Sequence, residues 1–262
     1  MLTVLYRDES LIAIDKPAGL LVHRSLVDRH ERRFAVQLLR DQIGARVYPL
    51  HRLDKPTSGV LLFALSSQAA RRMGAVFEQQ AIQKTYLAVA RGYTAVHGRI
   101  DYPLREELDR LSDSQARQDK PPQPAVTDYW RLARLELPVS DGRHATSRYS
   151  LLALRPHTGR KHQIRRHLKH IFHPIVGDTT HGDGRHNRLF REHLGSARLL
   201  LMSAELAFLH PESGAPVCIR APLDAQFSRV VAGFGWSGEM TVPDQSPMVA
   251  TRSPACPQEA ES

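Results

Sequence analysis

A chain of 262 residues with 42% apolar side chains can bury a substantial core, as one large domain or two small ones. Its two cysteines, Cys218 and Cys256, are too few and too far apart for a disulfide framework or a cysteine-based zinc site. Residues 1–7 lack a secretory signal, and no apolar run approaches the ~20 residues of a membrane helix, so a cytoplasmic setting is the expectation. The formal charge of +9, from 36 Lys and Arg against 27 Asp and Glu, points to a polyanionic partner.

In chain order, short strands are expected over residues 3–6, 11–14 and 20–23, with Asp15-Lys16-Pro17-Ala18-Gly19 turning between the last two. Residues 34–43 carry Val36, Leu38, Leu39 and Ile43 at helical spacing and stop at Gly44. Residues 51–59 form a loop whose Pro56 and Gly59 mark a turn. The apolar run Val60 to Leu65 then reads as a buried strand. Ser66 or Ser67 caps a helix running to about Gln80, and 84–91 returns as a strand.

Residues 105–124 are dense in charge and end in Pro121-Pro122-Gln123-Pro124, as an exposed insertion would. Strands near 125–136 and 146–154 precede a basic helix over 160–171. Further strands at 199–209 and 217–221 flank the turn His210 to Gly214, and 225–232 suits a last helix. Residues 1–240 are read as one domain, and the polar, Pro- and Ser-rich residues 241–262 as a disordered tail. Strands dominate without alternating regularly with helices. The expected fold is therefore α+β, a mixed and mostly antiparallel sheet flanked by helices around a central cleft.

Three stretches carry chemistry. In His51-Arg52-Leu53-Asp54-Lys55, one carboxylate sits between two cations, which favour its ionised form and bind anions. Alone, that pattern is more often a surface ion pair than a nucleophile. Tyr86 lies on a strand between Lys84 and Arg91, either as core packing or as a ring that stacks on a base. Arg155 to His170 holds six Lys or Arg and no carboxylate, so phosphate groups are the simple candidate to offset the repulsion. Thr158 and Gly159 are expected to start the helix there, leaving backbone N–H groups for a phosphate. His162, His167, His170 and His173 have a metal-like spacing, but their Arg and Lys neighbours repel a dication, so no metal is expected.

Taken together, His51 to Asp54 with Thr57-Ser58-Gly59, then Lys84-Thr85-Tyr86 with Gly92, then Gly159 to His167 with His173 to Asp178 resemble the RluA-type family of pseudouridine synthases. The resemblance spans about residues 3–236. Residues 23–25, 79–84, 119–127 and 234–236 resemble the members of that family that modify uridine 65 of tRNA.

The resemblance implies an isomerase that breaks the N1–C1′ bond of a uridine and rejoins the base through C5, with no cofactor. It implies tRNA as partner, no membrane, and a monomer. It makes Asp54 the catalytic group, leaving open attack at C1′, attack at C6 or removal of a ribose proton. It makes Arg165 the partner of that carboxylate, Tyr86 the ring against the target base, and Arg52 the residue that fills the place of the flipped base. Arg160, Lys161, His162, Arg166 and Lys169 are then RNA-binding candidates. One departure is Leu201-Met202-Ser203, where relatives commonly carry Leu-His-Ala.

Rival readings are a member acting on ribosomal RNA, a noncatalytic RNA-binding relative, and a phosphohydrolase with an aspartyl nucleophile. The last wants a second acid beside Asp54 to hold Mg²⁺, and the neighbours there are basic.

Overall fold

The computed structural model describes residues 1–24, 31–107 and 120–236. Its strands are β1 (Thr3–Arg7), β2 (Leu11–Lys16), β3 (Tyr48–Pro49), β4 (Ser58–Ala64), β5 (Gln83–Arg91), β6 (His97–Asp101), β7 (Val126–Leu137), β8 (Ser147–Pro156), β9 (Leu201–Leu209) and β10 (Pro216–Arg220). Its helices are α1 (Ala35–Ile43), α2 (Ser67–Glu78), α3 (Gln163–His170), α4 (Gly184–Leu194) and α5 (Ala225–Gly233).

All ten strands join one sheet in the order β1-β2-β4-β9-β5-β8-β7-β6, with β3 added to β4 and β10 to β9. Every pairing among them is antiparallel except β4 with β9, where Ser58 faces Met202 and Gly59 faces Ser203. The expected α+β class with a mixed, mostly antiparallel sheet is what the chain adopts. The parallel pair is a seam between two antiparallel halves, and the loop carrying Asp54 leads into β4 at that seam.

Alternation along each strand sorts the core onto two faces. Ile12, Ile14, Leu61, Phe63, Tyr86, Ala88, Leu152 and Leu154 pack with Leu39 of α1 and with Ile164 and Leu168 of α3. Across the sheet, Leu11, Ala13, Val60 and Leu62 meet Met73 of α2. On that same side Leu87, Val89, Leu151 and Ala153 meet Phe190 of α4 and Phe227 of α5. Strands buried on both faces explain the unbroken apolar run after Gly59.

Four differences from the sequence reading have physical causes. Residues 20–23 form no strand: Leu21 makes a single bridge to Phe34, and the chain is held instead by Gly19 N–H donating to the Lys55 carbonyl. The basic helix begins at Gln163 rather than near residue 160, because His162 has a left-handed backbone. Gln163 Oε1 takes hydrogen bonds from the Arg160 N–H and the Thr158 hydroxyl, so the backbone there is engaged by the protein itself.

Edge strand β6 went unread because only Ile100 in it is buried. Helix α4 escapes a sequence reading because only Leu189, Phe190 and Leu194 among its eleven residues are apolar; its signals are the Asp183 cap and Gly195 with φ 60°. The base of the 105–124 insertion is closed by paired hydrogen bonds between Leu104 and Gln123, while residues 108–119 and the tail lie outside the described residues.

Candidate active site

Asp54 stands on the loop before β4, and three devices hold that loop. Lys16, fully buried at the end of β2, donates to the carbonyls of Pro17 at 3.0 Å, Leu20 at 2.7 Å and Lys55 at 3.2 Å. Burial, helped by the charge of Arg198, lowers the Lys16 ammonium to about 7, while Asp54 and Asp15 pull the other way. His51 accepts a hydrogen bond at Nε2 from the Leu62 N–H and stacks on Phe77. Burial, with the Lys84 charge, pushes its imidazole down to about 3, so it is neutral there. Gly59 has φ 105°, and a Cβ on it would overlap the Ser203 carbonyl across the seam.

Arg165 reaches Asp54 from α3. Its Nη1 donates to Asp54 Oδ2 at 3.0 Å. Its Nε and Nη2 grip both oxygens of Asp178 at 2.7 and 2.9 Å. Asp178 is sealed, with 1% of its side chain exposed, and Arg165 nearly so at 5%, whereas Asp54 keeps 24%. The bidentate grip aims the remaining guanidinium nitrogen at the one carboxylate that a ligand can reach. Burial opposes the charge on Asp178, but hydrogen bonds from Arg165 and from the His181 and Thr180 N–H groups hold its carboxyl below the usual range.

Tyr86 lies on the same face of the sheet as α3. Burial, with the Asp54 charge adding to it, raises its hydroxyl to about 12, so the phenol is protonated at neutral pH. Opposite it across β5 and β9 sits Ser203, whose buried hydroxyl faces the Tyr86 phenol and works against that rise. The departure noted at residues 201–203 therefore falls beside the site.

The other expected site residues separate into two groups. Arg52 is exposed two residues before Asp54, and its charge, after burial, lowers the His23 imidazole. Arg160, Lys161 and Lys169 are exposed on α3 or its approach. His162 and Arg166 are half-buried, with His162 Nε2 3.8 Å from Asp54 Oδ2. Arg91 does not face outward for an anion; it pairs with Asp183 at 2.7 Å.

The repulsion within 155–170 is met by carboxylates from elsewhere: Asp54 and Asp178 on Arg165, Glu107 on Arg166, and Asp128 on His157. The evenly spaced histidines go to different places. His167 binds Thr127 and the Tyr102 carbonyl, His170 stacks on Tyr102, and His173 binds the Arg91 carbonyl. Among the described residues, Glu107, His162 and His181 offer three ligand atoms within 4.8 Å of one another. Arg166 pairs with that same Glu107 and Lys161 stands beside it, a setting that repels a dication.

Sequence reasoning missed Lys16, His181 and Glu107 as parts of this site, and it quoted His51 and Asp178 only as ends of motifs, with no role. Lys16 and His51 carried a signal, being charged or titratable residues inside apolar strand-and-turn stretches.

The sequence profile of RNA pseudouridylate synthases matches residues 10–170, the stretch that carries Asp54, Tyr86 and Arg165. The chain belongs to that family. A relative in Vibrio cholerae serotype O1, tRNA pseudouridine synthase C, is 54% identical over 92% of this chain and 99% of its own length. Another of the same name, in Haemophilus influenzae, is 54% identical over 90% of this chain and 99% of its own. Among solved structures, human RNA pseudouridylate synthase domain containing 4 superposes with a TM-score of 0.65 at 25% identity, over 89% of this chain and 93% of that one. As an RNA pseudouridylate synthase, this chain brings Asp54, Arg165 and Tyr86 together at the seam of its two half-sheets. No helix among its described residues is long and apolar enough to cross a membrane.

Proposed function

We propose that this protein isomerises a uridine of tRNA to pseudouridine, at position 65, with Asp54 as the catalytic group. The observation that carries the reading is the Arg165–Asp54 pair at 3.0 Å, with the other carboxylate on Arg165, Asp178, fully committed to it. Of the two carboxylates that Arg165 holds, Asp54 is the one with solvent access to act on a nucleotide. The choice of tRNA rests on relatives of that name at 54% identity over nearly the whole chain.

In the reaction the N1–C1′ bond breaks, the base turns, and C5 bonds to C1′. The C5 proton leaves and N1 gains a proton, so the product is an isomer. Arg165 compensates the Asp54 charge once a flipped nucleotide excludes water. Tyr86, as a neutral phenol, suits stacking on the base better than taking a proton from it. Arg52 fills the place the base vacates, and Arg160, Lys161 and Lys169 contact phosphates, which offsets the few kcal/mol of flipping.

The test is tritium release from C5-labelled, unmodified tRNA, in EDTA, with Asp54→Asn alongside. Release by the wild type alone is expected, and Asp54→Asn should bind tRNA within a few-fold of the wild type. Turnover by Asp54→Asn would overturn the role of Asp54. Release only from ribosomal RNA fragments would overturn the choice of tRNA.

A further inference from the structure

Glu107, on the segment between β6 and β7, sends its carboxylate toward the Arg166 guanidinium and the His162 and His181 imidazoles at the start of α3; burial lowers both imidazoles, and the two rings also share a hydrogen bond at 3.0 Å. Oε2 lies 3.2 Å from His162 Nδ1 and 3.6 Å from His181 Nε2, and Oε1 lies 3.3 Å from Arg166 Nε. Lys161 Nζ donates to the Glu107 carbonyl oxygen at 2.9 Å. His162 also stands 3.8 Å from Asp54, so this carboxylate is one imidazole away from the reacting group.

Three features mark the contact as exchangeable. Arg165 has Asp178 and Asp54 and needs nothing from Glu107, so the carboxylate is not required to hold the catalytic pair. Glu107 keeps 37% of its side chain exposed, and ion pairs with that much water contribute little. His162 and Arg166 from one segment and His181 from another converge on the two oxygens of one carboxylate, while Lys161 holds the Glu107 backbone carbonyl beside them. A phosphodiester carries the same unit charge on two non-bridging oxygens, so replacing one by the other leaves the charge at the site unchanged. The backbone of a flipped nucleotide must pass beside Asp54, where these donors stand.

We infer that Lys161, His162, Arg166 and His181 form a receptor for one backbone phosphate of the substrate RNA, which Glu107 occupies until RNA displaces it. This rests on the reading that the substrate is RNA. Removing the Glu107 charge removes a competitor, so affinity for RNA rises. Because the competitor acts through Arg166, the gain vanishes when Arg166 is neutral.

The experiment measures binding of unmodified tRNA, at fixed salt, to the wild type, Glu107→Gln, Glu107→Ala, Arg166→Gln and the Glu107→Gln/Arg166→Gln double variant. Glu106→Gln, whose carboxylate pairs with Lys120 instead, controls for net charge. Both Glu107 variants should bind about three- to fivefold tighter, the scale of one exposed ion pair, while Glu106→Gln shifts affinity less than about twofold. The gain should disappear in the Arg166→Gln background. Equal effects of Glu106→Gln and Glu107→Gln, weaker binding by both Glu107 variants, or a gain that survives in the double variant would overturn the inference. Tritium release by the wild type is scored separately: its absence would overturn the proposed reaction, whereas the Glu107 comparison is decided by binding alone.

Discussion

Arg165 serves two carboxylates in different surroundings, and the difference assigns their work. Asp178 is enclosed and takes two parallel hydrogen bonds, so it orients the guanidinium; Asp54 takes one and keeps a path to solvent. A lysine at position 165 would keep the charge and lose the fork that makes both contacts at once. His51 shows how a titratable group can serve as a neutral acceptor. Its folded-state imidazole at about 3 lies far below the ordinary value near 6.5. The unfolded chain therefore binds a proton that the folded chain refuses across that window. The His51 contribution to stability is complete above about pH 6.5 and is lost as pH falls toward 3. Glutamine at 51 keeps an acceptor for the Leu62 N–H without a titrating proton. His51→Gln should flatten the dependence of unfolding free energy on pH between 6.5 and 5 by up to about 1.4 kcal/mol per pH unit, the value for one proton. Urea titrations at several pH values would show this, and an unchanged slope would mean that His51 is charged in the folded protein.

Among the elements, the β4–β9 seam carries the most consequence. Only two residue pairs define it, Ser58 with Met202 and Gly59 with Ser203, yet it joins the half-sheet behind Asp54 to the half-sheet carrying Tyr86. The approach at Gly59 leaves no room for a Cβ, and its φ of 105° is costly for any other residue. Gly59→Ala is expected to destabilise the fold by more than about 2 kcal/mol and to lower turnover, since the Asp54 loop enters β4 there. A cap on the opposite face gives the comparison. Ser66 accepts the Ala69 N–H at the start of α2, and Ser66→Ala should cost about 1 kcal/mol with turnover unchanged. Chemical denaturation with tritium release on both variants checks the pair; equal stability losses would show that the seam tolerates a side chain.

For the molecule as a whole, the excess of +9 overstates what is offered to RNA. Arg91, Arg165 and Arg198 are engaged by Asp183, by Asp54 and Asp178, and by Asp224, respectively. The exposed set around α3 is narrower, and Lys169 lies within it. If Lys169 touches a phosphate, Lys169→Gln should weaken tRNA binding and reduce the slope of log affinity against log salt by about 0.7–0.9. Binding measured from 50 to 200 mM salt reads that slope, and an unaltered slope would place the RNA track away from this face of α3.

Much of this was legible in the chain. The fold class was visible in apolar runs between turns that do not alternate regularly with helices. Asp54, Tyr86 and Arg165 were singled out by the resemblance of their motifs, since their local patterns alone left a surface ion pair and core packing open, and the structure sets Arg165 3.0 Å from Asp54. The strand misread at 20–23 and the unread helix α4 show the limit of local patterns, since neither segment's apolar content announces its structure. What only the tertiary structure decided was pairing. The run from Arg155 to His170 contains no carboxylate, and its counterions arrive from residues 54, 107, 128 and 178. The fully buried Lys16 is matched by carbonyls that include one from residue 55. Side-chain chemistry is written one residue at a time, but the charge a residue meets depends on segments far along the chain that the sheet brings within 3 or 4 Å, and no linear spacing encodes that approach.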